Sequence, residues 1–212
     1  MRVPWVVGVS GASGTPYAAA VLRGLIAAGR PVDLVVSRAA RLTLLDETGI
    51  SWHDDDATLA EWLGEPVAGG DVRYWSPGDL GAGPSSGTYA THGMLVVPAS
   101  TAAVAGIALG LSKDLLQRAA DVTLKERRPL VVVPREMPLT RATLAHLLTL
   151  HDAGAVVAPA SPGFYAGATT AADLADFVAA RVLDAAGVPH DLMRRWTGEL
   201  GAARDQTQGG QS

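Results

Sequence analysis

Gly8-Val9-Ser10-Gly11-Ala12-Ser13-Gly14 closes an apolar run that starts at Trp5 and leads into a segment of helical spacing from Pro16 to Ala28. A glycine-rich turn between a buried strand and a helix lets the backbone approach a ligand closely. It also offers N–H groups at the positive end of a helix dipole. Thr15 and Pro16 fit the N-cap and N1 positions of that helix. Taken alone, such a turn is also compatible with a tight connection that binds nothing.

The same strand-then-helix grammar continues outward from this turn. Further apolar runs of strand length stand at Val32 to Val36, Met94 to Pro98, Leu130 to Val133 and Ala155 to Val157. Most do not alternate with polar residues, as expected of strands covered on both faces. Helical spacing fills the intervals at Ala39 to Glu47, Ala57 to Leu63, Ala102 to Leu109, Asp114 to Lys125, Thr140 to Asp152 and Ala171 to Ala186. This alternation predicts an α/β fold, a single Rossmann-like domain with a doubly wound, mostly parallel sheet and helices on both faces. Leu144, Leu147, Leu148 and His151 are expected to share the core face of their helix. Residues 1–200 read as that one domain, and the polar stretch 201–212 as a disordered tail. Ser76 to Gly87, rich in glycine and proline, reads as a long loop, and loops beyond about 12 residues are often functional.

With 212 residues, 48% of them hydrophobic, one sizeable core is expected. The net charge of -4 provides no basic field for nucleic acid or anionic lipid, so an anionic ligand must be met by local cations. The absence of cysteine excludes disulfides, thiolate ligands and a cysteine nucleophile. No uncharged apolar run reaches the roughly 18 residues of a membrane span. The expected setting is soluble and cytoplasmic.

Dinucleotide sites usually place an acidic residue about 20 residues beyond the glycine turn, on the ribose diol. Ser37 stands there instead. A hydroxyl suits a phosphate or ribityl chain, which points to a mononucleotide such as FMN over NAD. Ser100-Thr101 follows another strand at its ligand-binding end, and reads both as a helix cap and as a ligand contact. Consecutive charges at Arg127-Arg128 read as a solvated turn. Arg135, just past a strand, and the neighbouring carboxylate of Glu136 are placed to meet an anion and manage a proton. Arg181 interrupts an apolar helix, where a charge needs a partner. Tyr165 follows a Pro-Gly loop.

These segments, in this order, resemble the UbiX family of flavin prenyltransferases over nearly the whole chain. The shared stretches are GVSGASG, Ser37-Arg38-Ala39-Ala40, Glu47-Thr48, and Leu116-Gln117-Arg118-Ala119-Ala120-Asp121-Val122 running on to Leu124-Lys125-Glu126-Arg127-Arg128. They continue with Arg135-Glu136-Met137-Pro138-Leu139, Pro162-Gly163-Phe164-Tyr165, Arg181-Val182-Leu183-Asp184 and Arg195-Trp196. The resemblance implies that Gly11, Ala12, Ser13, Ser37, Ser100, Thr101, Ala102, Ala103 and Arg135 hold FMN. It implies that Arg118, Lys125, Arg135, Tyr165 and Arg181 bind the phosphate of dimethylallyl monophosphate, and that Ser13, Glu47, Lys125 and Glu136 are catalytic. The implied reaction joins the prenyl group to N5 and C6 of reduced FMN, the acceptor, and supplies prenylated FMN to UbiD-type decarboxylases. A homododecamer with sites at subunit interfaces is also implied. Alanines 102 and 103 replace polar residues common in the family, leaving only backbone N–H groups there, and the loop Ser76 to Gly87 is longer than usual.

A monophosphate leaves poorly, so its departure calls for converging cations and an acid, which Lys125, Arg135, Arg181 and Glu136 can supply. The acidic run Asp54-Asp55-Asp56 reads as charge at a helix N-terminus, and His146 and His151, five apart, do not stack as metal ligands. The expected mechanism therefore needs no metal. Trp75, Tyr89 and Trp196 are available to surround an allylic cation, but hydrophobic packing or an oligomer contact is the simpler account of each. Two other readings stand beside this one. A flavin-dependent oxidative decarboxylase of the cysteine decarboxylase group shares Pro98-Ala99-Ser100, yet His92 lacks that group's surrounding motif and no methionine-rich clamp follows. A non-catalytic FMN carrier would have no use for a second phosphate site.

Overall fold

The computed structural model describes residues 2–64, 71–164, 167–193 and 195. The tail 201–212, Trp196 and Tyr165 lie outside the described residues. The elements run β1 (Trp5–Val9), α1 (Thr15–Ala27), β2 (Val32–Val36), α2 (Arg38–Thr48), α3 (Asp56–Leu63) and β3 (Val72–Tyr74), then β4 (Gly93–Ala99), α4 (Thr101–Ala108) and α5 (Leu115–Lys125). The chain then forms β5 (Leu130–Pro134), α6 (Arg141–Asp152), β6 (Val156–Val157) and α7 (Ala171–Ala185), with a 3₁₀ turn at Gly83–Ser85 between β3 and β4.

The strands make one six-stranded sheet in the order β3-β2-β1-β4-β5-β6, every pair parallel. The order reverses between β1 and β4, so the loops after these two strands diverge and leave a crevice, the place where open α/β sheets bind ligands. Alternate residues of each strand face two separate cores. Val7, Val9, Leu34, Val36, Leu95, Val97, Val131 and Val133 face α1, α2, α3 and α7. Val6, Val35, Met94, Val96, Leu130 and Val132 face α4, α5 and α6. Because both faces are covered, the strands read as continuous apolar runs.

Four local expectations are corrected. The edge strand β3 has no counterpart in the sequence reading, because three residues with exposed Arg73 at their centre leave no apolar run to see. On α6 the buried residues are Thr143, Leu147 and Leu150, while Leu144, Leu148 and His151 face outward. Two apolar stripes run along that helix, and the one joined to Ala155 and β6 is the one the sheet covers. Thr15 is the first helical residue of α1, and Gly14, at φ 117°, is its N-cap, without a side-chain cap of its own. Arg128 is half-buried and bonded, not a freely solvated turn residue: its guanidinium donates to the carbonyls of Gly87 and Tyr89 and to Thr91 Oγ1, tying the long loop down.

The acidic run behaves as expected and does more. Asp55 caps α3, Asp54 binds Trp52 Nε1 and Arg41, and Asp56 accepts from Tyr74. Among the described residues no helix is long and apolar enough to cross a membrane.

Candidate active site

A cavity of about 410 Å³ occupies the crevice at the reversal of strand order. Ser10 and Gly11 reach it from β1, Ser37, Arg38 and Ala39 from β2, and Ser100, Ala102 and Ala103 from β4. Lys113, Asp114, Leu116 and Gln117, at the start of α5, and Pro77 and Gly78 of the long loop complete it.

The turn after β1 fits against its neighbours with almost no clearance. A Cβ at Gly11 would collide with that of Ala39 and come within 2.9 Å of the Ala39 carbonyl carbon. A Cβ at Gly8 would lie 2.9 Å from Leu116 Cγ, so glycine there lets α5 approach the sheet. Ser10, which sequence reasoning passed over, joins the turn to β4. Its hydroxyl donates to Pro98 O at 2.8 Å and accepts the Ser100 N–H at 2.7 Å. Only its place between two glycines could have hinted at this.

Ser37 and Ser100 are both N-caps. Ser37 Oγ accepts the Ala40 N–H at 3.1 Å, and Ser100 Oγ accepts the Ala103 N–H at 3.2 Å. Both residues also line the cavity, so capping and ligand contact coincide here. The N–H groups at the start of α4 and α2 that precede these bonds have no acceptor within their helices and remain for a ligand.

Outside the cavity lining, Glu47 of α2 reaches across to the start of α1, at the end of the turn that carries Gly11. Its carboxylate accepts N–H groups from Gly14 and Thr15, each at 2.9 Å, and the Thr15 hydroxyl at 2.6 Å. Partial burial alone would raise its pKa. The hydrogen bonds from the Thr15 and Ser13 side chains and from the backbone of Thr15 and Gly14 outweigh this and hold it below the usual 4.5. Glu47 is therefore ionised at neutral pH and can accept a proton rather than donate one.

Arg135 stands past the end of β5, beside this turn: its Cγ would lie 3.6 Å from a Cβ placed on Gly14. Its Nε is buried and has no hydrogen-bond partner among the described residues. A buried guanidinium N–H without an acceptor is costly unless an anion is bound. Neutral N–H and hydroxyl donors from two helix starts, in a wall shared with Arg38 and Lys113 and with Arg135 outside it at the Gly14 turn, fit a flavin mononucleotide.

A family model described as Flavoprotein matches residues 1–183. The chain is 69% identical over 213 residues to the flavin prenyltransferase UbiX of Streptomyces coelicolor, covering 95% of this chain and 99% of that one. This chain belongs to the UbiX flavin prenyltransferase family. Among solved structures it is similar to AnUbiX (PadA1), in complex with FMN and dimethylallyl pyrophosphate, with TM-score 0.83 and 34% identity over 94% of this chain and 100% of that one. It is also similar to a dodecameric FMN-dependent UbiX-like decarboxylase from Escherichia coli O157:H7, with TM-score 0.82 and 38% identity over 92% of this chain and 100% of that one. Membership in the UbiX family decides against the cysteine decarboxylase and carrier readings.

Ser13, Glu47 and Arg135 stand at the neighbouring turn and not in the cavity lining, and the other residues expected from the UbiX resemblance stand away from it as well. Arg118 donates to Ser85 O at 3.1 Å and to Asp121 at 2.8 Å, which ties α5 to the 3₁₀ turn. Lys125 pairs with Glu126 at the exposed end of α5, close to Gly87. Glu136 is exposed and accepts the Met137 N–H at 3.0 Å. Arg181 is not buried in its helix: its side chain is 57% exposed and pairs with Asp184 at 2.7 Å. Thr101 opens α4 without lining the cavity, and Ala12 is buried behind the turn, its N–H on Ser10 O. Of the aromatics, Trp75 packs on the core beneath α4 and α5, and Tyr89 donates to the buried Asp33 at 2.9 Å, which supports packing roles for both.

Proposed function

We propose that this protein transfers the dimethylallyl group of dimethylallyl monophosphate to N5 and C6 of reduced FMN, and supplies the prenylated flavin to a UbiD-type decarboxylase in the cytoplasm. The observation that carries this reading is the cavity at the sheet reversal, with unfilled donors around it and Glu47 bonded to the end of the turn that enters it, in a chain of this family. Reduced FMN supplies the nucleophilic nitrogen and carbon.

The chain's own residues bind, orient and neutralise. Gly11, Ser13, Thr101 and Ala102 offer backbone N–H groups, Ser37 and Ser100 offer hydroxyls, Ala103 walls the cavity, Ala12 backs the turn, and Arg135 brings its vacant N–H to a phosphate. Ionised Glu47 fixes Ser13 and Thr15 and accepts a proton as the acceptor ring gives one up. Cations converge on the leaving phosphate through Arg118, Lys125, Arg181 and Arg135, with Tyr165 and the acid Glu136, and this replaces a metal.

Because Arg118, Lys125 and Arg181 do not line the cavity of their own chain, the complete site forms between copies in a homododecamer. Exposed Leu144 and Leu148 on α6, with Leu109 and Leu111 after α4, offer apolar surface for that assembly. The test adds filtrate from the anaerobic reaction to a UbiD-type apo-decarboxylase. Restored decarboxylation is expected, and a filtrate no better than FMN alone would reject the proposal.

A further inference from the structure

Gln117 has no part in the roles derived above, yet it is one of few polar side chains buried in this fold, with 9% exposure. It sits in the first turn of α5 and lines the cavity beside Leu116, Ala102 and Ala103. Its Oε1 accepts the backbone N–H of Lys113 at 3.2 Å. A backbone N–H can only donate, so this bond fixes the orientation of the carboxamide, oxygen toward Lys113 and Nε2 away from it. The amide lies flat against α4, where a Cβ on Gly106 would stand 2.5 Å from both Cδ and Nε2. Nε2 thus has its position set from two sides and has no acceptor among the described residues.

We infer that Gln117 is a specificity-determining residue for the flavin ring, its Nε2 donating to a carbonyl oxygen on the polar edge of the isoalloxazine. The inference rests on the reading of the cavity as a flavin site. The surroundings favour the ring over the phosphate: Leu116, Ala102 and Ala103 are apolar, the charges of Lys113 and Asp114 in the same wall are of opposite sign, and the Gln117 amide is a neutral donor. With Oε1 turned toward Lys113, the group left to meet the ring is Nε2, which can only donate and so pairs with a carbonyl and not with the ring imide N–H. Donation to that edge favours the electron-rich reduced ring over the oxidised one.

The test measures binding of FMN and riboflavin, and the two-electron potential of bound FMN, in the wild-type protein and in Gln117→Met and the isosteric Gln117→Glu. Both variants should bind FMN and riboflavin about tenfold more weakly, by the same factor for each because the contact is to the ring. The potential should fall by about 30 mV, the two-electron equivalent of a further tenfold loss for the reduced form. Unchanged affinity and potential in either folded variant overturns the assignment, as does a loss confined to FMN, which would place Gln117 at the phosphate. Wild-type protein that binds neither flavin overturns the flavin reading itself, a result separable from failure of the Gln117 assignment.

Discussion

Glu47 closes the N-terminus of a helix it does not belong to: its carboxylate accepts the Gly14 N–H at 2.9 Å, across 33 residues of sequence. Gly14, at φ 117°, has no side chain with which to cap α1, so the orphan donors of that helix are met from α2. The residue implied to handle protons is thus also the one that holds the glycine turn after β1 in shape. Loss of Glu47 is expected to reach both chemistry and stability.

The sign of its pH effect follows from the lowered pKa. Folded protein binds the Glu47 proton less tightly than unfolded chain, so its stabilisation is fully present above about pH 4.5 and is lost as pH falls through the lower folded value. Glu47→Gln should lower the melting temperature at pH 7 and shrink the difference from wild type as the pH falls below about 4.5. Thermal melts of both proteins across that range check it, and parallel curves would contradict it. Prenyl transfer by the variant should be slower with FMN still bound.

Gly11→Ala should destabilise by about 1 to 3 kcal/mol, the usual cost of forcing a methyl group into a filled space. The added methyl meets Ala39 at the start of α2, so the turn or that helix must shift. Denaturant unfolding gives the first number, and FMN titration should show at least tenfold weaker binding.

Ser10→Ala should cost more stability than Ser37→Ala. The Ser37 change removes one cap, worth about 1 kcal/mol. Ser10→Ala removes the acceptor of the Ser100 N–H and the hydroxyl bond to Pro98 O together, inside a residue only 4% exposed. Unfolding of the two variants under identical conditions ranks them, and equal losses would count against Ser10 as the joint between β1 and β4.

Arg135→Ala and Arg181→Ala should separate the two substrates. The first removes the buried N–H without an acceptor and should weaken FMN binding about tenfold or more. The second, exposed on α7, should raise KM for the prenyl phosphate while FMN affinity stays near wild type. Titration and steady-state kinetics on both variants check the split, and equal loss of both substrates in Arg181→Ala would contradict it.

Much of this was legible in the sequence because both sheet faces are buried. That made β1, β2, β4 and β5 stand out as apolar runs, and placed Ser37 and Ser100 at strand ends where caps and ligands coincide. The edge strand β3 was not legible, since it is short and half solvated. Which stripe of α6 faces inward was hidden too, because packing, not periodicity, chooses between Leu147 with Leu150 and Leu144 with Leu148. Beyond the place of Ser10 between two glycines, Ser10 and Gln117 carried no signal of their own. Their roles come from partners 90 and 4 residues away that only the fold brings into register.

The most direct measurement is the mass of the flavin extracted after anaerobic incubation of the protein with reduced FMN, dimethylallyl monophosphate and EDTA. The account predicts a flavin heavier by one five-carbon prenyl unit, with inorganic phosphate released in equal amount. Recovery of unmodified FMN, with the protein folded and the flavin bound, would contradict it.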